Sequence, residues 1–331
     1  DRRWKYRVEA TVEPFGASDF SISASLFDMQ QHITDGRDLF DAGATTLSNL
    51  LYKFDEKDYF RAKGATASVF ADLFRFFPTT LSVGSTSYFS VKKNTDWSLF
   101  RREDLYRDNP AINNGHIDDV TLRTTFDGRD FIDNAGTIQR IGERNHVPDV
   151  TLGRMFCNLD GARFTTDILS VSISGHVDFG LYGRTTYRSS WSTASGKLPT
   201  QRLFLLPGSV DGITNPWRFR TLHIREFGGD RIATLFAQHD FGELFRRFHV
   251  PLLQNSGIAV VIFGNGGWTS MRDDTRALQT VPVLTTRRPF YEAGFGFDRV
   301  LLFLRFDFAW RMNYFRDGRN FFFGISSAMN F

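Results

Sequence analysis

The sequence holds a single cysteine, Cys157, in 331 residues. One thiol excludes an internal disulfide framework and any zinc or iron–sulfur site built from several thiolates. Long apolar runs are missing too. The longest is Ile258–Phe263, far short of the roughly 18 residues that a membrane-spanning helix requires. Neither charge sign dominates: 40 basic and 37 acidic side chains leave a formal +3, scattered along the chain, which argues against a nucleic-acid partner. No apolar stripe of helical period lasts beyond two turns, and Leu47–Phe54 is the best helix candidate. There is no fixed 20–50-residue repeat and no low-complexity tract. The opening residues Asp1-Arg2-Arg3-Trp4 lack an apolar leader core, so the expectation is a mature chain or one cut from something longer.

Catalytic signatures are equally scarce. Neither His-Glu-x-x-His nor Gly-x-Ser-x-Gly occurs. His239-Asp240, and His116 near Asp118 and Asp119, lack a recognisable nucleophile pattern beside them, so no enzyme activity is expected. Asp118/Asp119 and Asp273/Asp274 read as solvated loop carboxylates, with calcium at a rim as the alternative. Gly228-Gly229 and Gly264 to Gly267 precede no helix signal, so they are strand kinks rather than phosphate loops. Neither a cofactor nor a metal is expected. Cys157 is read as a buried or wall-facing small hydrophobe.

What the chain has in excess is phenylalanine, 36 residues, set among many Arg, Asp, Ser and Thr. The aromatics alternate with polar residues at period two. Trp4, Tyr6, Val8, Ala10 and Val12 share one face; Lys5, Arg7, Glu9 and Thr11 share the other. Leu81, Val83, Phe89 and Val91 oppose a serine-rich face, and Val120, Leu122 and Phe126 alternate with Thr and Arg. Leu169, Val171 and Ile173 alternate with serines. Tyr291, Ala293, Phe295 and Phe297 oppose Glu292, Gly294, Gly296 and Asp298. Leu304, Phe306, Phe308, Trp310 and Met312 oppose Arg305, Asp307 and Arg311. Phe321, Phe323, Ile325, Met329 and Phe331 close the chain, facing away from Gly324, Ser326 and Ala328. Turn-rich joints fall near 107–117, 133–148, 193–217 and 271–288, and 193–228 is one long irregular stretch.

Two architectures fit this pattern. In a soluble sandwich the aromatic face is the core. In a transmembrane barrel it meets lipid, and the charged face lines a wet lumen. Strands of 9–12 residues, Trp and Tyr near strand ends, and the terminal aromatic strand favour the barrel. The expected fold is therefore all-β: one antiparallel transmembrane β-barrel over 1–331, with about 12–16 strands and the long loop folded inward. The basic-aromatic run Phe245-Arg246-Arg247-Phe248-His249 is then an interfacial turn near anionic headgroups.

The terminal segment resembles the last strand of bacterial outer-membrane barrels, in which Phe323, Ile325, Met329 and Phe331 would form the assembly signal. The segments before it resemble the BamA/TamA-like superfamily, whose members insert or translocate proteins at the outer membrane. Leu304-Arg305-Phe306-Asp307-Phe308-Ala309 is similar to its arginine-x-aspartate-x-alanine strand, and Glu292-Ala293-Gly294-Phe295-Gly296 to the glycine-rich neighbour. Ile258 to Gly266 is similar to a strand usually reading Phe-x-Asp-x-Gly, with Gly264 aligned to the Asp. Glu226-Phe227-Gly228-Gly229-Asp230-Arg231 resembles the close of the long loop, and Gly196-Lys197-Leu198-Pro199-Thr200-Gln201 its entry. Phe126-Asp127-Gly128-Arg129-Asp130 resembles a strand end of the same barrels. At the loop tip, Arg220-Thr221-Leu222 keeps the Arg of an Arg-Gly-aromatic motif and lacks its Gly and aromatic.

A closer resemblance is to a Bacteroidetes-type family that couples a carboxypeptidase-regulatory-like domain to such a barrel. It is carried by Arg220…Glu226-Phe227 and His239-Asp240-Phe241-Gly242, is strongest over 120–331, and has Asn49 to Gly64 as its best early piece. Neither that domain nor POTRA repeats are recognised in the sequence, so a bare barrel or a barrel fragment is expected. The resemblance implies loop-to-lumen docking through Arg220, Glu226, Arg305 and Asp307. As partners it implies outer-membrane lipids and lipopolysaccharide, the barrel assembly machinery and client polypeptides. It implies a function in protein insertion or translocation through a weak seam between the first and last strands. A passive channel or structural barrel, a membrane-bound hydrolase and a soluble sandwich are the alternatives.

Overall fold

The computed structural model describes residues 4–14, 19–33, 57–92, 97, 99–100, 108–134, 137–209, 212, 214–251, 254–301 and 304–327. The Leu47–Phe54 helix candidate, Met329 and Phe331 lie outside these residues. The chain is all-β. Thirteen strands form one sheet: β1 (Tyr6–Val12), β2 (Phe20–His32), β3 (Tyr59–Leu73), β4 (Phe77–Ser90), β5 (Gly115–Thr125), β8 (Val147–Leu159), β9 (Ala162–Asp178), β10 (Arg184–Ser195), β13 (Arg231–Asp240), β14 (Ala259–Ser270), β15 (Phe290–Val300), β16 (Leu304–Arg311) and β17 (Phe321–Ser327). Two small ladders stand apart, β6 (Phe131–Asn134) with β7 (Thr137–Arg140), and β11 (Phe204–Leu205) with β12 (Gly228–Gly229). The 133–148 joint thus contains a hairpin, and the 271–288 joint a short helix, Asp273–Leu278. The long loop begins only after Ser195, because Thr193–Ser195 still pair with β9.

The period-two pattern decides which side of each strand faces in. On β16, Arg305, Asp307, Ala309 and Arg311 are buried, whereas Trp310 on the other face is exposed. The register carries this polarity across the sheet. Ile262 pairs with Phe295, Phe295 with Phe308, and Phe308 with Phe323. The aromatics of this face lie against one another, Phe295–Phe308 stacked and Phe308–Phe323 and Trp310–Phe321 tilted, with ring centroids each 5.1 Å apart. Leu81, Val120, Leu122, Leu152, Val171 and Leu235 continue the exposed apolar band around the sheet.

The loop shows that the sheet is rolled. From one end it reaches β4, where Arg202 Nη2 donates to Tyr88 Oη at 2.7 Å. Further along it reaches β16, where Arg220 meets Asp307. Strands eight places apart in the order can touch one short segment only if the wall curves around it, as a barrel wall does. The core therefore lies inside the roll. One cluster sets loop residues Leu198, Leu203 and Leu205 on Phe60, Tyr88, Ile117, Met155 and Cys157; a second sets Leu206, Phe219 and Leu222 on Ile232, Phe236 and Phe290. Beyond the loop the inner wall turns small and polar, with Ser23, Ser82, Thr121 and Ser172 on the inward register positions.

Every neighbouring pair in the thirteen-strand sheet is antiparallel. With an odd count, β1 and β17 run in the same direction. Among the described residues no ladder joins them.

Candidate functional site: the loop seated in the barrel

The site is built on the inward faces of three neighbouring strands: Phe263, Asn265 and Gly267 of β14, Glu292 and Gly294 of β15, and Arg305, Asp307 and Arg311 of β16. Glu292 on β15 is buried and accepts four hydrogen bonds: from the Arg220 and Thr221 amides, each at 3.0 Å, from Thr221 Oγ1 at 2.8 Å, and from Asn265 Nδ2 at 2.8 Å. A carboxylate so satisfied grips the loop backbone itself, and this is the main polar tie between loop and wall. The Arg220 guanidinium, fully buried, lies 3.4 Å from Asp307 Oδ1 and 3.7 Å above the centre of the Phe263 ring. Asp307 is also held by Arg305 Nε at 2.9 Å, and Arg305 Nη1 donates to Gln238 at 3.1 Å.

A second node lies one turn further along the loop. Arg311 Nη2 donates to Glu226 Oε2 at 2.9 Å and to the Thr221 carbonyl at 2.6 Å. Glu226 also accepts the His223 amide at 3.0 Å. In these two nodes the buried side chains of Arg220, Arg305 and Arg311 meet those of Glu226, Glu292 and Asp307. Pairing is what makes such burial tolerable, since an unpaired interior charge costs several kcal/mol.

Of the residues singled out from the sequence, Arg220, Arg305 and Asp307 meet in the first node, and Glu226 sits in the second. Phe323 and Ile325 face outward on β17 and are exposed. Sequence reasoning missed Glu292 and Arg311 as site residues. Both alternate onto the same face as Asp298 or Asp307, and a lone carboxylate on a glycine-rich strand face was the available signal. It also placed the polar position of β14 at Gly264. The strand turns Gly264 outward and Asn265 inward, so the inward series is Phe263-x-Asn265-x-Gly267, with Asn where the pattern has Asp. Gly267 is required there, because a Cβ would stand 2.7 Å from the Phe219 ring and 2.9 Å from Leu206.

A cavity of about 360 Å³ remains between loop and wall, lined by Arg188, Gln201, Arg202, Trp217, Arg218 and Thr234 among others. The His116–Asp118 pair (3.0 Å) lies outside the barrel, with Ser85 and Ser87 each 3.1 Å from a His116 ring nitrogen. It sits in a regular ladder, where β4 and β5 pair residue for residue.

No family model and no curated protein matches the chain. Solved structures do. One is BamA from Haemophilus ducreyi lacking POTRA domains 1–3, with a TM-score of 0.53 and 10% identity over 96% of this chain and 60% of that one. Another is CdiB from Acinetobacter baumannii, with a TM-score of 0.46 and 10% identity over 93% of this chain and 47% of that one. The chain thus spans less than two thirds of either, and at this identity the likeness is one of fold.

Proposed function

We propose that this chain is the barrel of a bacterial outer-membrane protein that assists the insertion or translocation of other polypeptides, and that it does so without enzymatic chemistry. The observation that carries the reading is the edge of β17 that faces away from β16, which no ladder joins to another strand among the described residues. Such an edge offers backbone donors and acceptors to an incoming strand. The outer face supports the membrane setting. Its exposed band of Phe, Leu, Ile and Val is larger than a soluble surface tolerates. Trp191, Trp310 and Tyr291 stand toward the loop end, where amphipathic rings suit a headgroup layer. Among the described residues no helix is long and apolar enough to cross a membrane, which leaves strands to do so.

A passive channel is the competing reading, favoured by the serine- and threonine-lined part of the inner wall. The loop argues against a wide pore, since its apolar clusters fill the opposite part. The test is reconstitution into lipid vesicles with an unfolded eight-stranded outer-membrane polypeptide as probe. The proposed function predicts faster folding of that probe into vesicles carrying the protein than into empty ones. Equal rates together with steady ion conductance would favour the channel.

A further inference from the structure

The long loop does more than fill the barrel. The Ile325 amide of β17 donates to the Gly212 carbonyl at 2.8 Å, and the Thr214 amide donates to the Ile325 carbonyl at 3.4 Å. Two bonds from residues two apart to a single residue are the pattern of a parallel bridge. They lie on the edge of β17 that faces away from β16, because backbone groups alternate along a strand and Asn320 already directs its carbonyl to Arg311 of β16. The loop therefore occupies the edge that the proposed function leaves for a partner strand.

The contact is anchored from inside. Ser209 and Thr214 are buried and share a hydroxyl hydrogen bond of 2.8 Å. Buried Arg319, from the β16–β17 connection, donates to the Ser209 carbonyl at 2.8 Å. Gly324 leaves room on this face, since a Cβ there would lie 2.4 Å from the Phe322 ring and 3.1 Å from the Gly212 carbonyl carbon. The contact is also short. Gly212 has φ +78, a left-handed turn that takes the segment off the extended path of a strand.

We propose that the loop backbone at Gly212 and Thr214 is a built-in occupant of the β17 edge, which an extended apolar strand must displace before it can pair there. This rests on the edge-pairing reading above and adds its regulation. Two variants test it, with a synthetic peptide copying residues 321–331 as the probe strand. A parallel bridge between Gly212 and Thr214 sets Thr214 beside Ser326 in register, so Thr214→Cys with Ser326→Cys should form a disulfide under mild oxidation in the folded protein. The oxidised form should lose peptide capture and regain it on reduction. Thr214→Pro removes the amide donor and should raise capture about tenfold, the scale of one lost hydrogen bond. If the disulfide does not form, the loop is not at the edge and the inference falls. If it forms but oxidised and reduced protein capture peptide equally, the contact controls nothing, while edge pairing stands. If no form captures peptide, the edge-pairing reading itself fails, and the regulatory role with it.

Discussion

Glu292 concentrates the logic of the site in one side chain. Four donors converge on it, and two are backbone amides of the loop tip. Glu292→Gln keeps the shape and removes one carboxylate from among the buried arginines. Two of the four donors would then face an amide NH2, and a buried donor left without an acceptor costs roughly 1–3 kcal/mol. The expected outcome is an earlier urea midpoint in detergent and faster proteolysis within 197–227. The Arg220–Asp307 contact is longer and sits beside Arg305, so it invites a charge swap. Arg220→Asp and Asp307→Arg singly should each undock the loop. The double variant should recover part of the loss in the same protease assay. A double variant no better than the worse single one would show that the two residues do not pair directly.

At the scale of strands and loops, apolar packing outweighs the ions. Phe219, Leu206 and Leu222 are all fully buried, and burial is worth about 1.5–3 kcal/mol for each such side chain. Gly267→Val should therefore undock the loop through sterics alone, at a cost of about 1–3 kcal/mol from overpacking against Phe219. Tryptophan fluorescence at Trp217 and protease mapping would record it.

The far end of the barrel has its own tie. Buried Asp127 accepts Arg129 Nε at 3.0 Å and Nη2 at 2.8 Å, and Arg140 bridges to Asp72. The Arg129 hydrogen bonds hold the Asp127 carboxyl below the usual carboxylate range. A carboxyl depressed in the folded state contributes stability above its unfolded pKa and loses it as pH falls through the folded value. The β6–β7 hairpin should therefore become more open to an acid-active protease only below about pH 4, and Asp127→Asn should open it at neutral pH.

Legibility in the sequence follows contrast between strand faces. In β1 and β16, large apolar residues face charges, and the alternation is plain. In β3 and β10, the faces pair Ala, Gly, Ser and Thr with more of the same, and the strands were not recognised. Arg305 and Asp307 could be placed on the inner face from period alone. The grip of Glu292 on Arg220 could not, because 72 residues separate them and only the curvature of the wall brings them together.

On the scale of the whole molecule, a rolled sheet surrounds its own loop. The outer face is mostly apolar, crossed by the Arg154–Asp167 and His116–Asp118 pairs, and the inner face holds buried charges and small polar residues. The parity of the sheet was invisible from sequence because it depends on every strand being counted. Among the described residues thirteen strands, each antiparallel to its neighbours, leave the outer edge of β17 without a ladder, and that fact shapes the functional proposal more than any single residue does. The central claim is that the aromatic faces meet lipid while the loop packs the interior. The most direct test is heat-modifiability: fold the chain into detergent micelles and compare boiled with unboiled samples on a denaturing gel. The account predicts a folded band that shifts to the unfolded position only on boiling. A chain that never shifts, yet stays folded and monodisperse without detergent, would contradict it, since its aromatic faces would then be buried against protein rather than presented to lipid.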